Sequence, residues 1–123
     1  MSIAVTQAAV TMEDAGEELT PHQVIQLLLD GALERLDQAA LQLRCGREQE
    51  AGKLMGKAIG IINGLRESLD FDRGGEMAVK LDTLYGYLIR RLSEAEVDTG
   101  EFVLAESCKM LGELKAGWDD MAA

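Results

Sequence analysis

The chain is short of the residues that most chemistry requires. Its 123 residues include one histidine, one proline, one tryptophan and two cysteines, and aromatic side chains make up only 4%. A single histidine, His22, cannot supply the two Glu-x-x-His motifs of a di-metal carboxylate bundle. It falls in the first turn of a predicted helix, without the mid-helix exposure and basic surroundings of a phosphotransfer histidine. Cys45 and Cys108 are far apart and form no C-x-x-C, so the expectation is a reduced pair buried as small apolar side chains. Arg73-Gly74-Gly75 lacks the spacing of a phosphate-binding loop. No nucleophile, metal set or cofactor motif emerges, so the reading is a binding protein that is not an enzyme and uses no cofactor or metal.

Positive charge is also scarce. Twelve Lys and Arg stand against 22 Asp and Glu, a formal net charge of −10. Such a chain is repelled by nucleic acid and by anionic membrane surfaces. No apolar run approaches the roughly 18 residues of a membrane span, which excludes insertion. The first 19 residues hold no Lys or Arg, so a secretory n-region is missing and a cytoplasmic location is expected. With 47% hydrophobic residues, this length suits one folded domain with a real core.

What the chain does have is helical period. Thr20, Pro21 and Gln23 combine a cap, a proline at the first helical position and a capping box. Leu19 and Val24 occupy the positions of a hydrophobic staple. A helix is expected from there to about residue 45, with Gly46 as a left-handed stop. Others are predicted at about 48–69, 76–96 and 98–118, the last capped by Asp98 and Glu101. Ala51, Met55, Ala58, Ile62, Leu65 and Leu69 form one seam, and Ala78, Leu81, Tyr85, Leu88, Leu92 and Ala95 form another. Leu104, Leu111, Leu114 and Trp118 form a third. Short connections make neighbouring helices antiparallel. The predicted fold is all-α: an up-down four-helix bundle over 19–119, preceded by a short helix or cap segment over 1–18.

Two faces exceed what a bundle core needs. On the first long helix apolar residues cover roughly 240° of the wheel, against the ~100° a core-facing helix requires. The surplus is to be covered by the N-terminal segment, through Val5, Ala8, Ala9 and Met12, or by a partner helix. On the second, Gly52, Gly56, Gly60 and Gly64 recur every four residues opposite the seam. Each interior glycine costs about 1 kcal/mol relative to alanine. They read either as a docking groove for a helix or as a tolerated exposed face. Leu54 and Ile61 flank the seam and can serve core or groove. Leu84, Tyr87 and Arg91 share one side of the third helix, where a Tyr beside an Arg is a common interface pair.

Three stretches also carry a resemblance. They are LTPHQVIQLLLDGALERL at 19–36, GKAIGIINGLRESLDFDRGGEMAVKLDTLYGYLIRRLSEA at 56–95, and LGELKAGW at 111–118. In order and spacing they resemble the flagellin-specific export chaperones, the FliS family of bacterial type III flagellar secretion. The resemblance implies a cytosolic antiparallel bundle that binds the C-terminal helices of flagellin and prevents premature polymerisation. It also implies delivery to an export-gate component, an N-terminal segment that caps the bundle, and no nucleotide or metal. The candidate partner site, taken from wheel geometry, is Leu54, Gly56, Gly60, Ile61, Gly64, Leu84, Tyr87 and Arg91. A monomer or weak homodimer is expected. The rival reading is a self-associating structural or adaptor module with the glycine face as its seam.

Overall fold

Thr20 starts the first helix as its sequence suggests: its hydroxyl accepts from Gln23 N at 3.1 Å, and Gln23 Oε1 accepts from Thr20 N at 2.9 Å. The computed structural model describes residues 19–121. They form four helices, α1 (Pro21–Arg44), α2 (Glu48–Glu67), α3 (Phe71–Glu94) and α4 (Val97–Asp120). The proposed cap residues Val5, Ala8, Ala9 and Met12 lie outside the described residues. At about 1.5 Å per residue the longer helices span roughly 36 Å. They are joined by residues 45–47, 68–70 and 95–96. Links this short reverse the chain at each step, giving the up-down bundle. Each helix packs on two neighbours in a closed ring, α1 on α2 and α4, and α3 on the other sides of both.

The predicted seams face inward. Leu29, Leu36, Ile62, Leu65, Leu88, Leu104 and Leu111 are fully buried, with Ala32, Ala39 and Ala58 between them letting the helices approach. The wide apolar arc of α1 finds most of its cover in α2 and α4. Ile25, Leu33, Ala40 and Leu43 pack against the core from the flanks, while Leu27 and Leu41 stay exposed. Gly46, at φ 75°, ends α1 in the left-handed conformation. Arg47 N then bonds Gln42 O, and Gly46 N bonds Leu43 O, satisfying carbonyls the helix leaves open.

Several sequence expectations are corrected. Cys45 is exposed rather than buried, because it sits at the C-cap of α1 beyond the last core-facing turn. Cys108 is free and half-buried, its thiol 3.5 Å from Asp37 Oδ1. Burial, reinforced by the Asp37 charge, pushes that thiol up to about 12. The cap of α4 is set two residues earlier than expected, where Thr99 Oγ1 accepts from Glu96 N at 3.1 Å. Gly100 lies buried inside α4, with Leu43 Cδ1 only 2.8 Å from where its Cβ would stand.

The largest difference concerns residues 70–75. These were expected to form a loop before a helix starting at Glu76, yet they supply the first turn of α3. Asp70 caps it, its Oδ1 accepting from Asp72 N at 3.1 Å and Arg73 N at 3.2 Å. Gly75, at φ 51° and ψ −125°, then breaks the helix with a kink before the seam begins at Ala78.

Candidate functional site

The residues proposed from the wheel divide between two places. Gly56 and Gly60 are exposed on the outer face of α2, and an added Cβ at either would meet nothing within 4 Å. Gly64 is buried, a departure from its expected place opposite the core. The reason is rotation: four residues turn a helix by about 400°, so each glycine drifts ~40° and the fourth has moved ~120° round. Leu54 and Ile61 are half-buried against the core. Ile61 faces α1, with its Cδ1 3.6 Å from the position of a Gly31 Cβ.

Leu84 and Tyr87 also pack against the core. Tyr87 donates its hydroxyl to Glu106 Oε2 at 3.1 Å, and Arg91 Nε donates to Glu106 Oε1 at 3.1 Å. One carboxylate of α4 therefore holds both residues, and that hydrogen bond raises the Arg91 guanidinium further above its ordinary range. Asp82, on the opposite flank of α3, is bound instead by Arg66 of α2 at 2.7 Å. Tyr87 and Arg91 thus belong to the α3–α4 contact, and Gly56 and Gly60 to the far side of α2.

A different apolar surface opens along α3, toward the ends of α1 and α2 on one side and toward α4 on the other. One cleft, of about 320 Å³, is lined mainly by Ile25, Leu65, Leu69, Met77, Leu81 and Trp118, with Asp70 and Arg73 at its rim. A second, of about 270 Å³, is lined by Met77, Leu81, Leu114, Gly117, Trp118 and Met121, with Glu113 at its edge. Met77, Leu81 and Trp118 belong to both, so the two clefts form one groove. Three local features keep it open. The Gly75 kink interrupts α3 beside it, Gly117 puts no side chain into it, and α3 and α4 pack less closely than the other neighbouring pairs. Met77 is 60% exposed and Met121 50%, which leaves two adaptable thioethers at the mouth. Tyr85 closes the floor, where burial pushes its phenol up to about 12.

Trp118 is the best-held member of the groove. Its Nε1 donates to His22 O at 3.0 Å, and His22 Nε2 lies 2.7 Å from Trp118 O. The two rings stack at a centroid distance of 4.9 Å and an interplanar angle of 11°. One residue on, Asp119 accepts from Lys115 and, at 2.7 Å, from Gln26 Nε2. Those bonds hold its carboxyl below the usual aspartate value. Lys115 also reaches Asp30 at 3.3 Å. The start of α1 and the end of α4 are fastened along a polar edge beside the apolar groove.

Leu81, Leu114 and Trp118 stand on the seams that the sequence shows, whereas Met77 and Met121 lie off them. Their signal was present but weak: two methionines at helix margins, and the lone tryptophan in a final helical turn. Among the described residues no group of three or more His, Cys, Asp or Glu is arranged to hold a metal ion, and no helix is long and apolar enough to cross a membrane.

The fold is thus an antiparallel four-helix bundle with an open, methionine-edged apolar groove on its surface. The profile of one family, FliS, described as flagellar protein FliS, matches residues 4–123. The chain belongs to the FliS family. It is 48% identical over 113 residues to the flagellar secretion chaperone FliSB of Pseudomonas aeruginosa, covering 92% of this chain and 90% of that protein. It is 38% identical over 116 residues to the flagellar secretion chaperone FliS of Salmonella typhimurium, covering 94% and 86% respectively. With FliS of Vibrio cholerae the identity is 30% over 112 residues, 91% of this chain and 82% of that protein.

Proposed function

We propose that this chain is a flagellar secretion chaperone that works in the cytosol and whose client is flagellin. It captures the amphipathic C-terminal helical region of flagellin, prevents its premature polymerisation and keeps it competent for delivery to the export gate. The observation that carries this reading is the groove built on Met77, Leu81 and Trp118, in a chain whose relatives bear the name of flagellar secretion chaperones. An apolar trough between two helices suits the apolar stripe of a third, and methionines let it adapt to more than one side-chain pattern.

Titration calorimetry with a synthetic flagellin C-terminal segment tests the proposal. Binding with a negative heat-capacity change is expected, because apolar surface leaves water on both partners. Met77→Glu, at an exposed position on the groove, should weaken binding by more than about tenfold, since a charge buried on docking must be desolvated. Gly60→Leu separates the groove from the glycine face of α2. Retained affinity places the client in the groove along α3, whereas lost affinity places it on α2. A flat titration with the unmodified protein sinks the flagellin reading.

A second reading is favoured by one observation: Gly52, Gly56 and Gly60 form an open exposed ridge on which another helix can approach closely. In that reading α2 is the seam of a homodimer. Sedimentation discriminates, since a tight symmetric dimer abolished by Gly60→Leu supports self-association and a monomer supports the chaperone.

A further inference from the structure

The only histidine and the only tryptophan of the chain, 96 residues apart, meet at the end of the bundle that carries the groove. A carbonyl oxygen can only accept, so His22 Nε2 carries the proton that bonds Trp118 O, and Trp118 Nε1 returns a bond to His22 O. The stacked rings complete a three-point clasp.

The two partners differ in how firmly their own helices hold them. His22 lies in a first turn fixed by the Thr20–Gln23 capping box and Pro21. Trp118 lies in the last turn of α4, where carbonyls run out of intrahelical donors and helices fray. Its carbonyl also receives Met121 N, at 3.2 Å. Yet Trp118 is one of three residues that line both clefts of the groove, and the one that α4 supplies. A stiff helix start therefore braces a weak helix end at the point where the groove needs a fixed surface.

We propose that His22 is a positioning residue for the groove: its imidazole, stacked on the indole and bonded to the Trp118 carbonyl, fixes Trp118 as a shared wall of the docking surface. The inference rests on the groove being the client seat. Without His22 the final turn of α4 loosens, the indole turns into the space of one cleft or out into water, and the preformed surface is lost. Affinity then falls because the client must order that surface as it binds.

Trp118 reports on itself, being the sole tryptophan. His22→Ala should shift its emission to longer wavelength, increase its quenching by acrylamide, and weaken the flagellin C-terminal segment about tenfold, the effect of one lost stack and hydrogen bond. His22→Phe keeps a flat ring against the indole and should restore emission and bring affinity to within about threefold of the original. Leu43→Ala, at the opposite end of the bundle against Gly100, should lower the melting temperature without changing emission or affinity. That control separates positioning from general loss of stability. Unchanged emission or unchanged affinity in His22→Ala overturns the proposal, as does a Leu43→Ala variant that copies its losses. If His22→Ala does not fold, His22→Gln removes the ring and keeps a donor: emission should still shift to longer wavelength and affinity still fall, and no change in either overturns the proposal. If the unmodified protein does not bind the segment, the flagellin reading fails. The emission and quenching comparison then decides by itself whether His22 holds Trp118.

Discussion

Gly52, Gly56 and Gly60 project nothing from the outer face of α2, and a methyl group added at any of them would meet no atom within 4 Å. Each leaves the helix with more freedom to lose on folding than alanine would, and with backbone open to water. Replacing all three by alanine should therefore stabilise the fold by about 2 kcal/mol, at roughly 0.5–1 kcal/mol each. Thermal melting should rise by on the order of 10 °C for a domain of this size. A fall in melting temperature would show that something packs on the ridge. Gly86 has less room, because an added Cβ there would stand 3.1 Å from the Arg66 guanidinium that pairs with Asp82. Neighbouring glycines of one chain thus have unrelated physical reasons, and spacing along the sequence does not separate them.

At the scale of the elements, the kink in α3 is the feature with the most consequence. Asp70 starts one turn, Gly75 breaks it, and the main helix follows at a new angle beside the groove. A φ of 51° with a ψ of −125° is a conformation that side chains disfavour. Gly75→Ala should cost about 1–3 kcal/mol, seen as a lower midpoint in chemical denaturation. Unchanged stability would mean that the kink relaxes without strain. The α1 start and the α4 end behave in the opposite sense, being tied by His22, Trp118, Gln26 and Asp119 rather than bent apart. Capping boxes and glycine stops were legible in the sequence, since cap chemistry is local. The turn at 71–74 was not, because two adjacent glycines look like the end of a structure and Asp70 alone had to mark its start.

For the molecule as a whole, carboxylates on the helix surfaces are held by ion pairs and hydrogen bonds within and between helices. Arg66 holds the Asp82 carboxyl, and Lys115 with Gln26 holds the Asp119 carboxyl, below the ordinary value of 3.8. A carboxylate whose folded value is depressed contributes stability that is fully present above its unfolded value and is lost as pH falls through the folded one. Denaturation midpoints should accordingly drop as pH falls below about 4, and the drop should be shallower in an Asp82→Asn, Asp119→Asn double variant. An equal drop in both proteins would assign acid sensitivity to other groups. The net charge of −10 keeps a bundle with an exposed apolar groove dispersed at neutral pH. Four helices, their inward seams, their order and their antiparallel sense followed from the sequence by itself, because period and connection length are properties of consecutive residues. The family resemblance was equally legible in ordered stretches such as LTPHQVIQLLLDGALERL. Which surface stays open was decided only in three dimensions. The groove is a gap along α3, bounded by α4 and by the ends of α1 and α2, and set by a kink, by the looser packing of α3 on α4 and by a histidine 96 residues from its tryptophan. A gap has no residues of its own in the sequence, and it comes into being only when the elements pack.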